Sequence, residues 1–171
     1  LGDLIKCYSE LGDTNYLYAV VGYVAERFSR NDKLDESAGN LILRTAEAAE
    51  TKKDAELTRY AYDLYFKWFT EHSRLPAMLY RFGDTKLREK SYDLALGYFL
   101  QMTNRQSDQL YFPSLNSAAY CYTMLNDYSN AVQTMAKYIS TAKPNPGALD
   151  AMFRLGDIYR RMDKTQQAID E

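Results

Sequence analysis

Proline and glycine are scarce in this chain, with four prolines and eight glycines in 171 residues. Helix interiors tolerate neither, glycine because of its backbone entropy and proline because it lacks an N–H. Their scarcity therefore points to a helical protein. Histidine occurs once, at His72. With no second His or Cys at ligand spacing, a zinc centre is not expected. Serine-hydrolase chemistry is not expected either, because no G-x-S-x-G elbow is present. No phosphate-cradling glycine loop or dinucleotide fingerprint occurs. The two cysteines, Cys7 and Cys121, are far apart in the chain. That spacing excludes a dense disulfide framework, and both are expected to be small buried hydrophobes. Neither charge sign dominates: 21 Lys and Arg stand against 23 Asp and Glu, a formal net charge of -2. A nucleic-acid binder driven by phosphate neutralisation needs a clustered basic face, so none is expected here. Long apolar runs are missing as well. Stretches such as 16–25 are too short to cross a bilayer, so no direct membrane insertion is expected. No signal peptide is visible.

Tyrosine, in contrast, is abundant, with 16 copies. Its large ring and single hydroxyl suit half-buried walls between helices. Small residues recur in a fixed relation to these aromatics. Gly156 is followed by Tyr159 and then Ala168; Ala119 by Tyr122, Tyr128 and Ala131; Gly83 by Tyr92, Ala95 and Phe99; Ala49 by Ala61 and Tyr65. The later alanines, Ala61, Ala95, Ala131 and Ala168, are spaced by 34, 36 and 37 residues. The two longer intervals fit insertions at Arg105-Gln106-Ser107-Asp108 and at Lys143-Pro144-Asn145-Pro146-Gly147. A small residue on one helix facing a small residue on the next lets two antiparallel helices approach closely. The aromatics fill the space around that contact, and each hairpin leaves an apolar face for its neighbour.

This pattern resembles the tetratricopeptide repeat, a hairpin of two helices with a repeat length of 34. In that register the repeats are 42–75, 76–109, 112–145 and an incomplete one at 149–171. Residues 1–41 are read as irregular N-terminal helices forming a degenerate repeat. Pro76 and Pro113 open first helices, where a missing N–H is harmless. Asn126-Asp127 and Asp13-Thr14-Asn15 supply turn and cap chemistry. Helices are expected over 16–30 and 34–53, joined by a turn at Asn31-Asp32-Lys33. The pattern opens inside a first helix at Leu1 and stops at position 23 with Glu171, as expected of a fragment of a longer repeat protein. The resemblance implies an all-α fold, a right-handed superhelix of antiparallel helix pairs.

The resemblance also implies a binding wall. In this family, positions 2, 5, 9 and 12 of each first helix line the concave side. Here they are Ala77, Tyr80, Asp84 and Leu87, then Pro113, Asn116, Tyr120 and Thr123, then Asp150, Phe153, Asp157 and Arg160. Such an aromatic, mildly acidic wall suits an extended peptide or a helix with apolar anchors. Family members that hold chaperone C-termini use a Lys/Asn/Arg clamp. Position 5 is Tyr80, Asn116 and Phe153 here, and position 9 is Asp84, Tyr120 and Asp157, so that ligand is not expected.

The remaining charged groups read as solvated surface. Glu47, Glu50 and Glu56 with Lys52 and Lys53 form an exposed helical stretch with i,i+3 pairing. Arg154, Arg160, Arg161 and Lys164 form a basic group, read as a hydrophilic face left open by truncation or capped by the next repeat, with docking of a short anionic patch of a partner as the alternative. His72, near a helix end before Pro76, reads as a C-terminal cation or a surface residue. The expected function is a protein–protein interaction scaffold that binds a partner peptide or helix within a multiprotein assembly. It is expected to need no cofactor or metal and to carry no enzymatic activity. Two alternatives stand beside it. One is a regulatory or substrate-recruiting appendage of an enzyme lying outside this stretch; the other is a self-associating module that uses its end repeats. The repeat phrasing is similar to bacterial envelope assemblies, which suggests a periplasmic or cytoplasmic setting.

Overall fold

The structure, a computed structural model, describes residues 14–28, 35–142 and 146–170, with side chains described throughout except at 14, 146 and 164–170. Among the described residues there are eight α-helices and no strand. They are α1 (Thr14–Phe28), α2 (Asp35–Thr51), α3 (Ala55–Trp68), α4 (Leu75–Arg88), α5 (Tyr92–Met102), α6 (Tyr111–Met124), α7 (Tyr128–Thr141) and α8 (Pro146–Asp170). The chain is all-α, and its helix pairs are compatible with a helical repeat. It divides into two compact units, Leu1–Leu75 and Pro76–Glu171. No described helix is long and apolar enough to cross a membrane.

In the first unit, α1 lies against both α2 and α3, which pair with each other. Its core takes Val21, Val24 and Ala25 from α1, Ile42, Leu43 and Ala46 from α2, and Ala61 and Tyr65 from α3. In the second unit, α5 packs on α6, α6 on α7 and α7 on α8. The α4–α5 pair is joined by Phe82 against Tyr98 and by Phe99, which lies directly over Gly83. A Cβ at Gly83 would stand 2.6 Å from the Phe99 ring, so only glycine permits this crossing.

Three hairpins share one turn. Lys53, Lys90 and Asn126 each adopt a left-handed backbone with φ of 60°. In each case the residue's own N–H bonds a carbonyl three residues back: Glu50 at 3.1 Å, Leu87 at 3.0 Å and Thr123 at 3.2 Å. The next residue's N–H bonds a carbonyl five back: Ala49 at 3.0 Å, Lys86 at 2.9 Å and Tyr122 at 2.9 Å. These bonds satisfy carbonyls that a helix C-terminus otherwise leaves orphaned. That same next residue then starts the following helix. Asp54 and Asp127 cap it by accepting the N–H of Leu57 at 3.1 Å and of Asn130 at 3.2 Å. Ser91 holds the cap position without a side-chain bond.

The turns refine the repeat frame. Ala95 and Ala131 lie five residues beyond their turns, whereas Ala61 lies eight beyond its own. The first hairpin therefore turns about one helical turn earlier than the alanine spacing suggests, and α2 begins at Asp35, well before position 42. At the other end, α8 runs without a break to Asp170. The sequence instead suggested a second helix carrying Ala168 back over Gly156. The stretch from Met162 to Gln167 contains no Gly, Pro or Asn to stop a helix, and the side chain of Ala168 lies outside the described residues. The turn expected at 31–33 also lies outside them.

His72 corrects the surface reading. It is 1% exposed and satisfied at both ring nitrogens. The backbone N–H of Arg74 donates to Nδ1 at 3.2 Å, so Nδ1 carries no proton and also accepts the Tyr65 hydroxyl at 2.9 Å. Nε2–H then donates to the Glu36 carbonyl at 3.0 Å. The ring stands edge-on to Tyr65 and Phe69 and lies over Gly39. The reason for the correction is tertiary: helix α3 ends at Trp68, and the turn after it folds the imidazole inward against α2. The charged stretch is exposed at Glu50, Lys52, Lys53 and Glu56, as expected. Glu47 also pairs with Arg74 at 2.9 Å, and Glu50 accepts the Tyr62 hydroxyl at 3.1 Å.

Candidate functional site

The second unit carries two concavities that share Asn116. The first, about 220 Å³, lies between α6 and α8 with Met135 of α7 at its base. Ala119, Met135 and Ile158 make its floor, and Asn116, Tyr120, Thr123, Arg154, Asp157 and Arg161 its walls. The second, about 260 Å³, is lined by Tyr80, Pro113, Asn116, Ser117, Tyr138, Gly147, Asp150 and Ala151. Its walls come mainly from the first helices of the hairpins, α4, α6 and α8.

Packing explains which side chains reach these concavities. Helix α8 rests on α7 through Ala151, Ile158 and Leu155, which join Ala119, Ala131 and Met135 in one apolar cluster. The helical period then turns Asp150, Arg154, Asp157 and Arg161 toward α6. On α6, Ala118 and Cys121 face Ala95 and Phe99 of α5, which leaves Asn116, Tyr120 and Thr123 on the concave side. Tyr120 is 45% exposed and stands edge-on to Tyr92, with centroids 6.2 Å apart. An aromatic ring half in water and held by another ring offers apolar area at low entropic cost.

Of the residues singled out from the sequence, Asn116, Tyr120, Thr123 and Asp157 meet in the first concavity, and Tyr80, Pro113, Asn116 and Asp150 in the second. Thr123 is buried and donates its hydroxyl to the Ala119 carbonyl at 2.8 Å, so only its methyl faces outward chemistry. Leu87 packs into the core of Ala95, Phe99, Ala118 and Cys121. Asp84 pairs with Arg88 along α4 at 2.8 Å and lines neither concavity. Phe153 and Arg160 also line neither. Phe153 is 78% exposed, and Arg160 pairs with Asp157 on the helix surface.

The sequence frame missed Arg154, Arg161, Met135, Ile158 and Tyr138 as wall residues. The two arginines had been grouped as a basic surface cluster. The signal that would have found them is the stripe Asp150, Arg154, Asp157, Arg161, whose i, i+4, i+7, i+11 spacing marks one helix face. Charges on this wall are balanced locally: Arg154 bonds Asp150 at 2.9 Å, and Arg160 bonds Asp157. Beneath the wall, burial pushes the Cys121 thiol up to about 11, which makes it a packed hydrophobe and not a nucleophile. Cys7 lies outside the described residues.

Among the described residues no cluster of His, Cys, Asp and Glu could hold a metal ion. No known protein family matches the chain, and no curated protein matches it.

Proposed function

We propose that the second unit is a protein-interaction module whose concave face holds a partner peptide or helix, as a scaffold within a larger assembly. The observation that carries this reading is the pair of adjoining concavities on first helices, joined at Asn116. The first has an apolar floor and room for one large side chain. The Asn116 amide has no hydrogen-bond partner among the described residues, and an amide offers both a donor and an acceptor to a peptide backbone. Tyr120 and Tyr80 flank it and would cover the peptide on either side. The reading agrees with the tetratricopeptide resemblance, in which first helices build the concave wall of a superhelix.

The test is a random-peptide selection against the chain, followed by affinity measurements on the enriched peptides. Those peptides should share one large apolar residue. Asn116→Ala combined with Tyr120→Ala should weaken them about a hundredfold, the sum of a lost hydrogen-bonded contact and a lost aromatic contact. Enriched peptides that bind the double variant with unchanged affinity would show that the wall is misassigned.

A further inference from the structure

The two concavities differ in charge. Among the described residues, the second is lined by one ionised group, the Asp150 carboxylate, and by no lysine, arginine or histidine. The first is lined by Arg154 and Arg161 with Asp157 between them. The ion pair of Asp150 with Arg154 runs from one concavity to the other, because each partner lines a different one. The wall is therefore polarised along α8, negative at the second concavity and positive at the first.

Polar and aromatic groups accompany Asp150. Asn116, Ser117, Tyr80 and Tyr138 belong to the same lining. Both rings are braced: Tyr80 stands 5.7 Å from Phe99 and Tyr138 5.0 Å from Phe112, between ring centroids. Rings held in this way lose little freedom when a ligand arrives. A pocket rich in acceptor oxygens, with braced aromatic rings and a single carboxylate, suits a cation. Arginine suits it better than lysine. A flat guanidinium stacks on tyrosine and offers five N–H donors, whereas an ammonium is a compact charge with three. The space of about 260 Å³ exceeds the roughly 150 Å³ that admits benzene, so it holds one such side chain. Two features oppose a cation, and both are the weaker. The N-terminus of α8 carries about half a positive charge that fades within the first turn, against the full charge of Asp150. Arg154 engages Asp150 through Oδ2 in an exposed, screened pair, which leaves the carboxylate further acceptor sites.

We infer that the second concavity is a subsite for an arginine side chain of the partner peptide. The inference rests on the peptide-binding reading of the concave face. The guanidinium lies against Tyr80 and Tyr138 and bonds the Asp150 carboxylate. Asn116 lines both concavities, so about one side chain's width separates them. Neighbouring side chains on one face of an extended peptide are two residues, about 6.7 Å, apart. The arginine therefore sits two positions from the large apolar residue that fills the first concavity. Arg154 and Arg161 repel a cation from that first concavity, so the charges of the wall fix which residue enters which.

The probes are the peptides that a random selection against the full chain enriches. They should carry an arginine two positions from a large apolar residue. Citrulline in place of that arginine keeps its shape and removes its charge. In fluorescence anisotropy at low salt it should weaken binding about tenfold, and lysine should weaken it by a smaller factor. Asp150→Asn changes an exposed side chain and leaves the core untouched. In that variant the affinity ratio of the arginine peptide to the citrulline peptide should fall from about ten to about one, whatever the release of Arg154 does to the apolar anchor. Added salt should narrow the ratio in the wild type. Peptides that lose binding to Asn116→Ala with Tyr120→Ala, yet bind the wild type equally with arginine or citrulline, overturn the arginine subsite and leave the peptide-binding reading standing. A selection that enriches nothing overturns both. An arginine preference that survives Asp150→Asn places the cation elsewhere and overturns the inference. So does sedimentation of the chain alone as a dimer that Asp150→Asn dissociates, which would make a second copy the occupant.

Discussion

Between α2 and α3 the first unit packs large rings that carry polar atoms: Tyr62, Tyr65 and His72, with Phe69 beside them. Between α6 and α7 the second unit packs Ala119, Ala131 and Met135. Both hairpins use the same left-handed turn, so the difference lies in what fills the crossing. A buried hydroxyl or imidazole must find its partner or cost about 1–3 kcal/mol. The first unit therefore depends on a few bonds that all have to be made at once, from Tyr65 through His72 to Glu36 and Arg74. The second depends on close contact between small residues, which lets its first helices approach and leaves their outer sides free to form walls. The second unit has polar demands of its own, since the Tyr111 hydroxyl and the Ser114 Oγ are buried on α6 without a hydrogen-bond partner.

The largest expected effect tests the polar knot. His72→Ala removes a buried ring, opens a void over Gly39, and orphans the Tyr65 hydroxyl and the Arg74 N–H, while the Glu36 carbonyl keeps the Asn40 amide. The cavity and the unpaired groups together should cost about 3–5 kcal/mol. Denaturant unfolding gives the total, and amide exchange in α2 and α3 should accelerate ahead of exchange in α6 and α7. A loss below about 1 kcal/mol would mean that the ring is a passenger and that the contrast between the units is false.

A smaller effect tests the close crossing in the second unit. Gly83→Ala drives a methyl into the Phe99 ring and should cost about 1–3 kcal/mol. Gly97→Ala, on the neighbouring helix with nothing within 4 Å of the new methyl, should raise stability by up to about 1 kcal/mol through helix propensity alone. The opposite signs at two helical glycines, read by thermal unfolding, isolate the contact from the propensity. If Gly83→Ala also stabilises, the crossing at Phe99 is loose, and small-residue packing does not set the hairpin.

How far the sequence could be read follows the same division. The alanines and glycines of 76–145 announced hairpins because small residues at a fixed interval have few other uses, and α4 and α6 open beside Pro76 and Pro113. Asn126-Asp127 was legible as a turn because asparagine tolerates the left-handed backbone. Lys53 and Lys90 adopt that conformation without any side chain that favours it, so nothing local marked their turns. The register of the first hairpin consequently slipped by three residues. His72 was misread because its environment is assembled from Glu36, Tyr65 and Arg74, and no period in the sequence encodes a tertiary pocket. Around the first concavity, α6 contributes Asn116, Tyr120 and Thr123, which the resemblance had named, whereas α8 contributes Arg154 and Arg161 where Phe153 and Arg160 were expected. Which stripe of α8 faces inward is set by how Ala151 and Ile158 settle on α7, and that rotation is a property of the packed pair.

The smallest expected effect concerns how the polar knot responds to acid. Glu36 bonds the Ser73 hydroxyl and accepts the Ser73 backbone N–H at 3.2 Å. Those two bonds, the hydroxyl first, hold its carboxyl below the ordinary 4.5, with some help from His72 nearby. A carboxyl lowered by folding contributes stability above its unfolded value and loses that contribution as pH falls through the folded one. Glu36 is exposed and screened, so its share is below about 1 kcal/mol. Glu36→Gln should therefore cost a few tenths of a kcal/mol near neutrality. The gap between variant and wild type should close as pH drops below about 4.5, because the wild-type carboxyl is then protonated too. Parallel stability curves across that range would place the Ser73 bonds outside the fold's energetics. A closing gap, with exchange quickening in α2 and the segment after α3 but not in α6 or α7, would confine the acid response to the unit built on polar rings.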